Sequence, residues 1–383
     1  MRSLLSVAVL LIPGLTLAQA PTVKLPPHDA RLETGFTAIT SIRELSDGRI
    51  LVTDPRDQGL VIADLKTGDV KQVSRRGAGP GEYGMAGLLH AIAGDSSLMS
   101  DFMNRRVLVF DKDKAVVTVA PDNPIIKETQ GFVRYADRLG NVFSVKSPEV
   151  PSGQTTTSEK DSSAIIRVNR ATGRVDTLAT VRDRPTVRTV VRNEKGEVSQ
   201  SSARSLRLRV GEPWIVHPDG HLAVVRINPF RVDWRSPDGR WTRGAALPIP
   251  VIRMTEREKQ ASLARTAASQ ASAGGNRQPM PQIPKELQTP ADEWPEVMPP
   301  YIETALQFTP SGDVLIRRQP SADHRGIAYY AVDRAGKLLG ILELKDNETI
   351  GGFGSKSIYI IETDADDLRF IRRHPWPLTR LPG

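Results

Sequence analysis

Two kinds of tight turn alternate along this chain, and their recurrence restricts its fold more than any other feature. The first kind stands at Ser46-Asp47-Gly48, Gly94-Asp95, Leu139-Gly140, Asp219-Gly220, Ser311-Gly312 and Gly354-Ser355. The second stands at Lys66-Thr67-Gly68, Lys112-Asp113, Thr172-Gly173, Asp238-Gly239 and Ala335-Gly336. Asp-Gly and Thr-Gly supply the positive φ that closes a short hairpin. Between the turns run short β-branched stretches, which in the first repeat occupy residues 39–45, 50–53, 60–64 and 70–73. The turn series predicts six antiparallel four-stranded units, the last of them, 350–372, lacking one strand. Residues 21–33 are extended and carry Val23, Leu25 and Leu32, so they are expected to supply it. Ring closure of this kind removes the exposed edges that an open stack would present.

A chain of 383 residues accommodates one large all-β domain. Residues 1–20 have the anatomy of a secretory leader: Arg2, an apolar run over 4–12, and Ala18-Gln19-Ala20 as the cleavage site. The expected mature domain is 21–383, periplasmic or secreted, with no transmembrane segment once the leader is removed. There is no cysteine, which excludes thiol catalysis, thiolate metal sites and a lipid-modified cysteine behind the leader. A core of this size needs no disulfides. The net charge of +8 is dispersed among acids, so it suggests weak attraction to anionic surfaces and no nucleic-acid partner.

The best-formed repeat reads LMSDFMNRRVLVFD over 98–111 and follows RGAGPGEY over 76–83. Asp101, Asn104 and Arg106 frame its loop, where Asp and Asn side chains can bind nearby backbone N–H groups. This spacing resembles the NHL repeat, and Gly77 to Tyr83 resembles the Gly-rich entry loop before such a blade. The wider similarity is to TolB-like propellers. The resemblance implies an all-β, six-bladed β-propeller with four-stranded antiparallel blades, closed by an N-terminal strand. Gly77 to Gly81 is not read as a phosphate loop, because it lacks the Gly-Lys-Ser/Thr ending and no helix follows.

Three segments exceed the repeat. Residues 147–163 are Ser/Thr-rich. Residues 182–210 predict a hairpin (187–192 with 198–202) followed by an Arg-alternating strand. The partly helical insertion between blades four and five, 253–300, begins with a helix over 255–272, capped by Thr255, and ends Pro-rich. Strand direction alternates within a blade, so the loops between second and third strands share a face with the connections between blades. That face receives all the long segments and is the expected binding face.

The expected ligand or partner face comprises Arg56, Asp57, Tyr83, Asn104, Arg105, Trp294, Arg318, Asp323 and His324. Trp294 and Tyr301 are read as packing the insertion over the channel mouth. Asp54, Asp57, Asp101 and Asn104 occupy equivalent loops; they are oxygen ligands that could hold Ca²⁺, or they brace the loops. His217 and His221 flank a hairpin turn and are not expected to point together as zinc ligands would. Arg188, Arg192, Arg204, Arg207 and Arg209 form a basic cluster, read either as a solvated strand or as a surface that grips carboxylate or phosphate. No catalytic constellation emerges and no cofactor is required. The expectation is an exported, non-catalytic propeller that binds a protein or small-molecule ligand on its loop-rich face. The alternative is a channel-metal, calcium-type hydrolase, lactonase or lyase.

Overall fold

The computed structural model describes residues 21–119, 123–129, 132–146, 162–192, 198–272 and 294–377. The leader assigned to residues 1–20 and most of the Ser/Thr-rich segment lie outside these residues. Six four-stranded antiparallel blades form a ring, and the chain is almost all β. Blade one is Ser41–Glu44, Ile50–Asp54, Gly59–Ala63 and Val70–Ser74, from the channel outwards. Blade two is Ala86–Ala91, Ser96–Asp101, Arg106–Asp111 and Lys114–Val119. Every turn of both predicted series falls between paired strands.

Middle strands are buried on both faces, so they read as continuous apolar runs rather than as alternation. Ile50, Leu51 and Val52 are fully enclosed. Ile50 and Val52 face blade six, while Leu51 faces blade two. Six such apolar clusters, one between each pair of neighbouring blades, hold the ring together. Each buried branched side chain contributes about 1.5–3 kcal/mol.

The N-terminal closure is more elaborate than the sequence suggests. Ala30–Phe36 is the outer strand of blade six and pairs with Arg369–Pro375. Upstream, Thr22–Val23 runs parallel to Leu338–Leu344 and adds a fifth strand to blade five. Residues 21–33 therefore serve two blades, not one.

The excursions leave from one rim. Thr186–Arg192 and Val198–Ser205 form the expected hairpin between blades three and four. The Arg-alternating strand expected after it is absent: the chain turns at residues 207–208, and Leu208 takes a positive φ of 50°. The side chains of Arg188, Arg192 and Arg204 lie outside the described residues. The insertion leaves through a narrow neck, where Met254 N–H donates to Glu296 O at 2.9 Å and Met298 N–H to Ile252 O at 2.9 Å. Its helix, Glu256–Ser272, is docked. Thr255 Oγ1 caps it, accepting from Glu258 N–H at 3.4 Å. Glu258 accepts the Ala322 N–H at 2.8 Å, and Arg265 donates to Pro320 O at 3.0 Å. A short helix over Pro124–Thr129, between blades two and three, has no counterpart in the sequence reading.

Candidate ligand-binding face

The loop of blade two is a clamp. Asp101 is completely buried. Its carboxylate accepts from Gly84 N–H at 2.9 Å, Met85 N–H at 3.2 Å, Asn104 Nδ2 at 2.7 Å and Arg106 Nε at 3.0 Å. Asn104 in turn donates to Gly77 O at 3.1 Å, and Arg106 to Ala78 O at 3.1 Å. The Asp-Asn-Arg spacing therefore fastens the Gly-rich loop of the preceding connection. Asp54 does the same in blade one, accepting from Thr37, Ala38, Arg56 and Asp57 N–H groups at 2.9–3.3 Å.

These contacts bear on the calcium reading. Asp54 and Asp101 have given their lone pairs to N–H donors, which point positive hydrogens where a cation would sit. Asp57 is exposed on another blade from Asn104. The four residues do not fit a divalent ion, and no metal-holding group of three or more His, Cys, Asp or Glu occurs among the described residues.

Tyr83 is a correction. It is 2% exposed and plugs the core between blades one and two. A Cβ at Gly59, where φ is +79°, would lie 2.5 Å from its hydroxyl. An aromatic at the end of a Gly-rich loop anchors the loop and is not offered to a ligand.

The histidine pair is a second correction. His217 and His221 close the same tight turn, with His217 N–H donating to His221 O at 2.8 Å, so they are directly opposed across the hairpin and share a side. Both Nδ1 atoms lie within 3.0 Å of Asp219 Oδ1, and Arg334 donates to Asp219 Oδ2 at 2.7 Å. Asp219 is held far below the usual carboxylate range by hydrogen bonds from His217, the His221 backbone and Arg334, which outweigh its partial burial. This cluster is on the tight-turn face.

The remaining expected face residues divide. Asp323 pairs with Arg257 of the docked helix, and His324 is exposed on the same loop, its N–H donating to Ser321 Oγ at 3.0 Å. Arg318 has a buried Nε with no hydrogen-bond partner among the described residues. Trp294 is half-buried with the Arg207 guanidinium 5.1 Å over its ring, and Tyr301 is fully buried, donating to Gly211 O at 2.8 Å. Arg56 is exposed.

Arg105 borders a groove of about 680 Å³ lined also by Phe102, Met103, Lys127 and Phe132, whereas the Asn104 side chain is spent on Asp101 and Gly77 O. Phe102 and Phe132 stack with centroids 4.2 Å apart, and Phe132 and Met103 are 52% and 60% exposed. Arg105 has a φ of 49°, a conformation non-glycine residues seldom adopt. The groove thus sets exposed apolar groups beside two cations. Residues 102–105 are legible in the sequence as a loop. Lys127 and Phe132 join them through the fold alone.

A further polar site lies at the channel mouth. Glu303 belongs to the innermost strand of blade five, Tyr301–Phe308. That strand slips between Tyr301↔Arg318 and Leu306↔Ile316, leaving residues 302–305 bulged out of the ladder. Glu303 Oε2 is enclosed with no hydrogen-bond partner among the described residues. Burial pushes its carboxyl up, opposed by the Gly211 N–H and by Arg184 and Arg134. Sequence gave no sign of it, because the bulge is set by pairing across the blade.

No protein-family model matches the sequence, and no curated protein matches it. Solved propellers are similar in architecture. A calcium-binding protein, regucalcin, from Agrobacterium tumefaciens aligns over 94% of this chain and all of its own, at 13% identity and a TM-score of 0.39. A gluconolactonase from Xanthomonas campestris aligns over 90% and 92%, at 10% identity and a TM-score of 0.42. Virginiamycin B lyase from Staphylococcus aureus aligns over 89% and 95%, at 11% identity and a TM-score of 0.40. The chain is a six-bladed β-propeller by its own strand order.

Proposed function

We propose that this protein is an exported, NHL-type propeller that binds, without chemistry, a ligand carrying an apolar ring or chain and a negative charge. The observation that carries this reading is the groove between blades two and three. Its stacked Phe102 and Phe132 offer an aromatic floor, and Arg105 and Lys127 have no ion-pair partner among the described residues. An apolar body desolvates the rings, while an anion meets two cations whose fields are otherwise uncompensated. The ligand is a small molecule or the side chains of a protein partner.

Anilinonaphthalene sulfonate, an aromatic anion, is a direct probe. Fluorescence titration should give saturable binding that weakens on the order of tenfold in Phe102→Ala/Phe132→Ala and in Arg105→Glu/Lys127→Glu, as expected for loss of anchoring groups. Equal affinity in wild type and both variants would reject the groove as the binding site.

A second reading is a hydrolase, lactonase or lyase acting at the channel mouth, favoured by the Glu303 carboxyl, which burial pushes above the usual carboxylate range. Lactone hydrolysis, assayed with and without added Ca²⁺, separates the two. Turnover abolished in Glu303→Gln but kept in the groove variants would favour this second reading.

A further inference from the structure

We propose that Glu303, Arg134 and Arg184 form a carboxylate-binding site at the channel mouth, in which Glu303 in its acid form donates a hydrogen bond to the bound anion. The site is separate from the groove, so either can fail without the other.

The topology brings the three residues to one rim. Arg134 directly precedes Tyr135–Ala136, the innermost strand of blade three. Arg184 is on the connection into blade four, whose innermost strand is Trp214–Val216. Glu303 is near the entry of the innermost strand of blade five. The loop at 182–184 is pressed against Gly211, where a Cβ would meet Arg182 O at 2.5 Å and Arg184 N at 2.7 Å. Gly211 is also the residue that Tyr301 and Glu303 both approach. Three neighbouring blades thus place one acid and two guanidinium groups on one rim, near enough for the charges of Arg134 and Arg184 to act on the Glu303 carboxyl.

The bulge at residues 302–305 takes Glu303 out of the ladder, a device that commonly re-aims a side chain toward a site. The Glu303 carboxyl meets the Gly211 N–H, yet its enclosed Oε2 has no hydrogen-bond partner among the described residues, although an enclosed carboxyl oxygen is normally satisfied. The exposed side chains of Arg134 and Arg184 are able to reach a bound anion.

The charges facing Glu303 are Arg184, Asp183 and Arg134, with Glu212 and Arg182 beside Tyr301. Glu212 is paired with Arg226 at 2.6 Å, and Asp183 accepts from Ser163 Oγ at 2.7 Å. Glu212 is thereby committed to Arg226, and the single negative charge of Asp183 cannot offset both Arg134 and Arg184. A ligand carboxylate supplies the missing countercharge and gives the Glu303 O–H its acceptor. Ionised Glu303 would repel the same ligand, so affinity must fall as pH rises through its titration.

Succinate is the probe, titrated calorimetrically into the whole chain at steps from about pH 5 to about pH 8, upward from the ordinary carboxyl value because burial moves Glu303 in that direction. The expected result is tighter binding at the acid end, by about tenfold. Arg134→Met/Arg184→Met should lose binding at every pH. Glu303→Gln, an amide that still donates, should keep binding and retain only the pH dependence that comes from succinate's own second ionisation. Phe102→Ala/Phe132→Ala should bind succinate as wild type does. Thermal melts confirm that each variant is folded. No binding at the acid end, unchanged binding in the double arginine variant, or an unchanged pH profile in Glu303→Gln would each overturn the proposal.

Discussion

Asp101 and Arg106 show how a loop motif becomes a structural lock. Their side chains are 0% and 12% exposed, and they are joined at 3.0 Å. Each also satisfies backbone groups of the preceding loop, Asp101 the Gly84 and Met85 N–H groups and Arg106 the Ala78 and Glu82 carbonyls. Removing one partner of a buried pair leaves the other charge uncompensated, which costs about 3–5 kcal/mol. Asp101→Ala should therefore lower stability by that amount in urea unfolding. Asp57→Ala, at an exposed position of the equivalent loop in blade one, should cost less than about 0.5 kcal/mol. His90 makes a second residue-scale prediction. It is buried on the innermost strand of blade two, and burial lowers its pKa to about 4, against a smaller opposing pull from the Val133 carbonyl. The unfolded chain protonates near the ordinary imidazole value of 6.5, so it takes up the proton first as pH falls. Stability should thus decline between about pH 6.5 and pH 4 with a slope near 1.4 kcal/mol per pH unit from this group. Glu303, raised rather than lowered, contributes with the opposite sign. Melting temperatures of wild type and His90→Gln across this window should converge as pH falls; parallel curves would contradict the assignment.

At the scale of elements, the docked helix of the insertion is held by an unusual face. Glu258, Ser262 and Arg265 fall at i, i+4 and i+7 and so share one stripe. Glu258 and Ser262 are buried against blade five, while the apolar Leu263 is 41% exposed. Hydrogen bonds, not apolar burial, fix this helix, and it should detach without unfolding the ring. Glu258→Ala removes the acceptor of the Ala322 N–H. Limited proteolysis should then cut the insertion several-fold faster, with the melting temperature within about 2 °C of wild type. Leu263→Glu should change neither. The sequence disclosed the helix, its Thr255 cap and the acids of its first turn. It did not disclose the docking face, because nothing in a polar stripe distinguishes buried from solvated positions. The same contrast runs through the chain. Turns and middle strands were legible because Gly placement and apolar runs are local. The strand Thr22–Val23, the bulge at Glu303, the opposed His217 and His221 and the burial of Tyr83 depend on partners far along the chain, or on the face a turn selects.

The whole molecule depends on one closure. Leu32 and Phe36 are fully buried beneath Ile371 and Tyr359, in the cluster joining blades six and one. The strand that carries them pairs Ala30↔Arg373, Arg31↔Arg372 and Leu32↔Ile371. Without it, blade six has three strands, its outer edge is open, and the contact that joins last blade to first is stripped of two large side chains. Their burial alone is worth about 2–3 kcal/mol each. With the ladder bonds lost as well, the deficit approaches the whole stability of an ordinary domain, about 5–15 kcal/mol. A chain lacking residues 21–36 should therefore show no cooperative thermal transition, although every other blade keeps its four antiparallel strands and only blade five loses its added strand, Thr22–Val23. Because the closing strand is held by side-chain burial and an open edge rather than by its covalent link to blade one, a synthetic peptide spanning 28–37 should restore the transition in a concentration-dependent way. A truncated chain that melts within about 5 °C of the full one, a difference of no more than about 1–2 kcal/mol at this size, would mean that the blades stand without the ring being sealed.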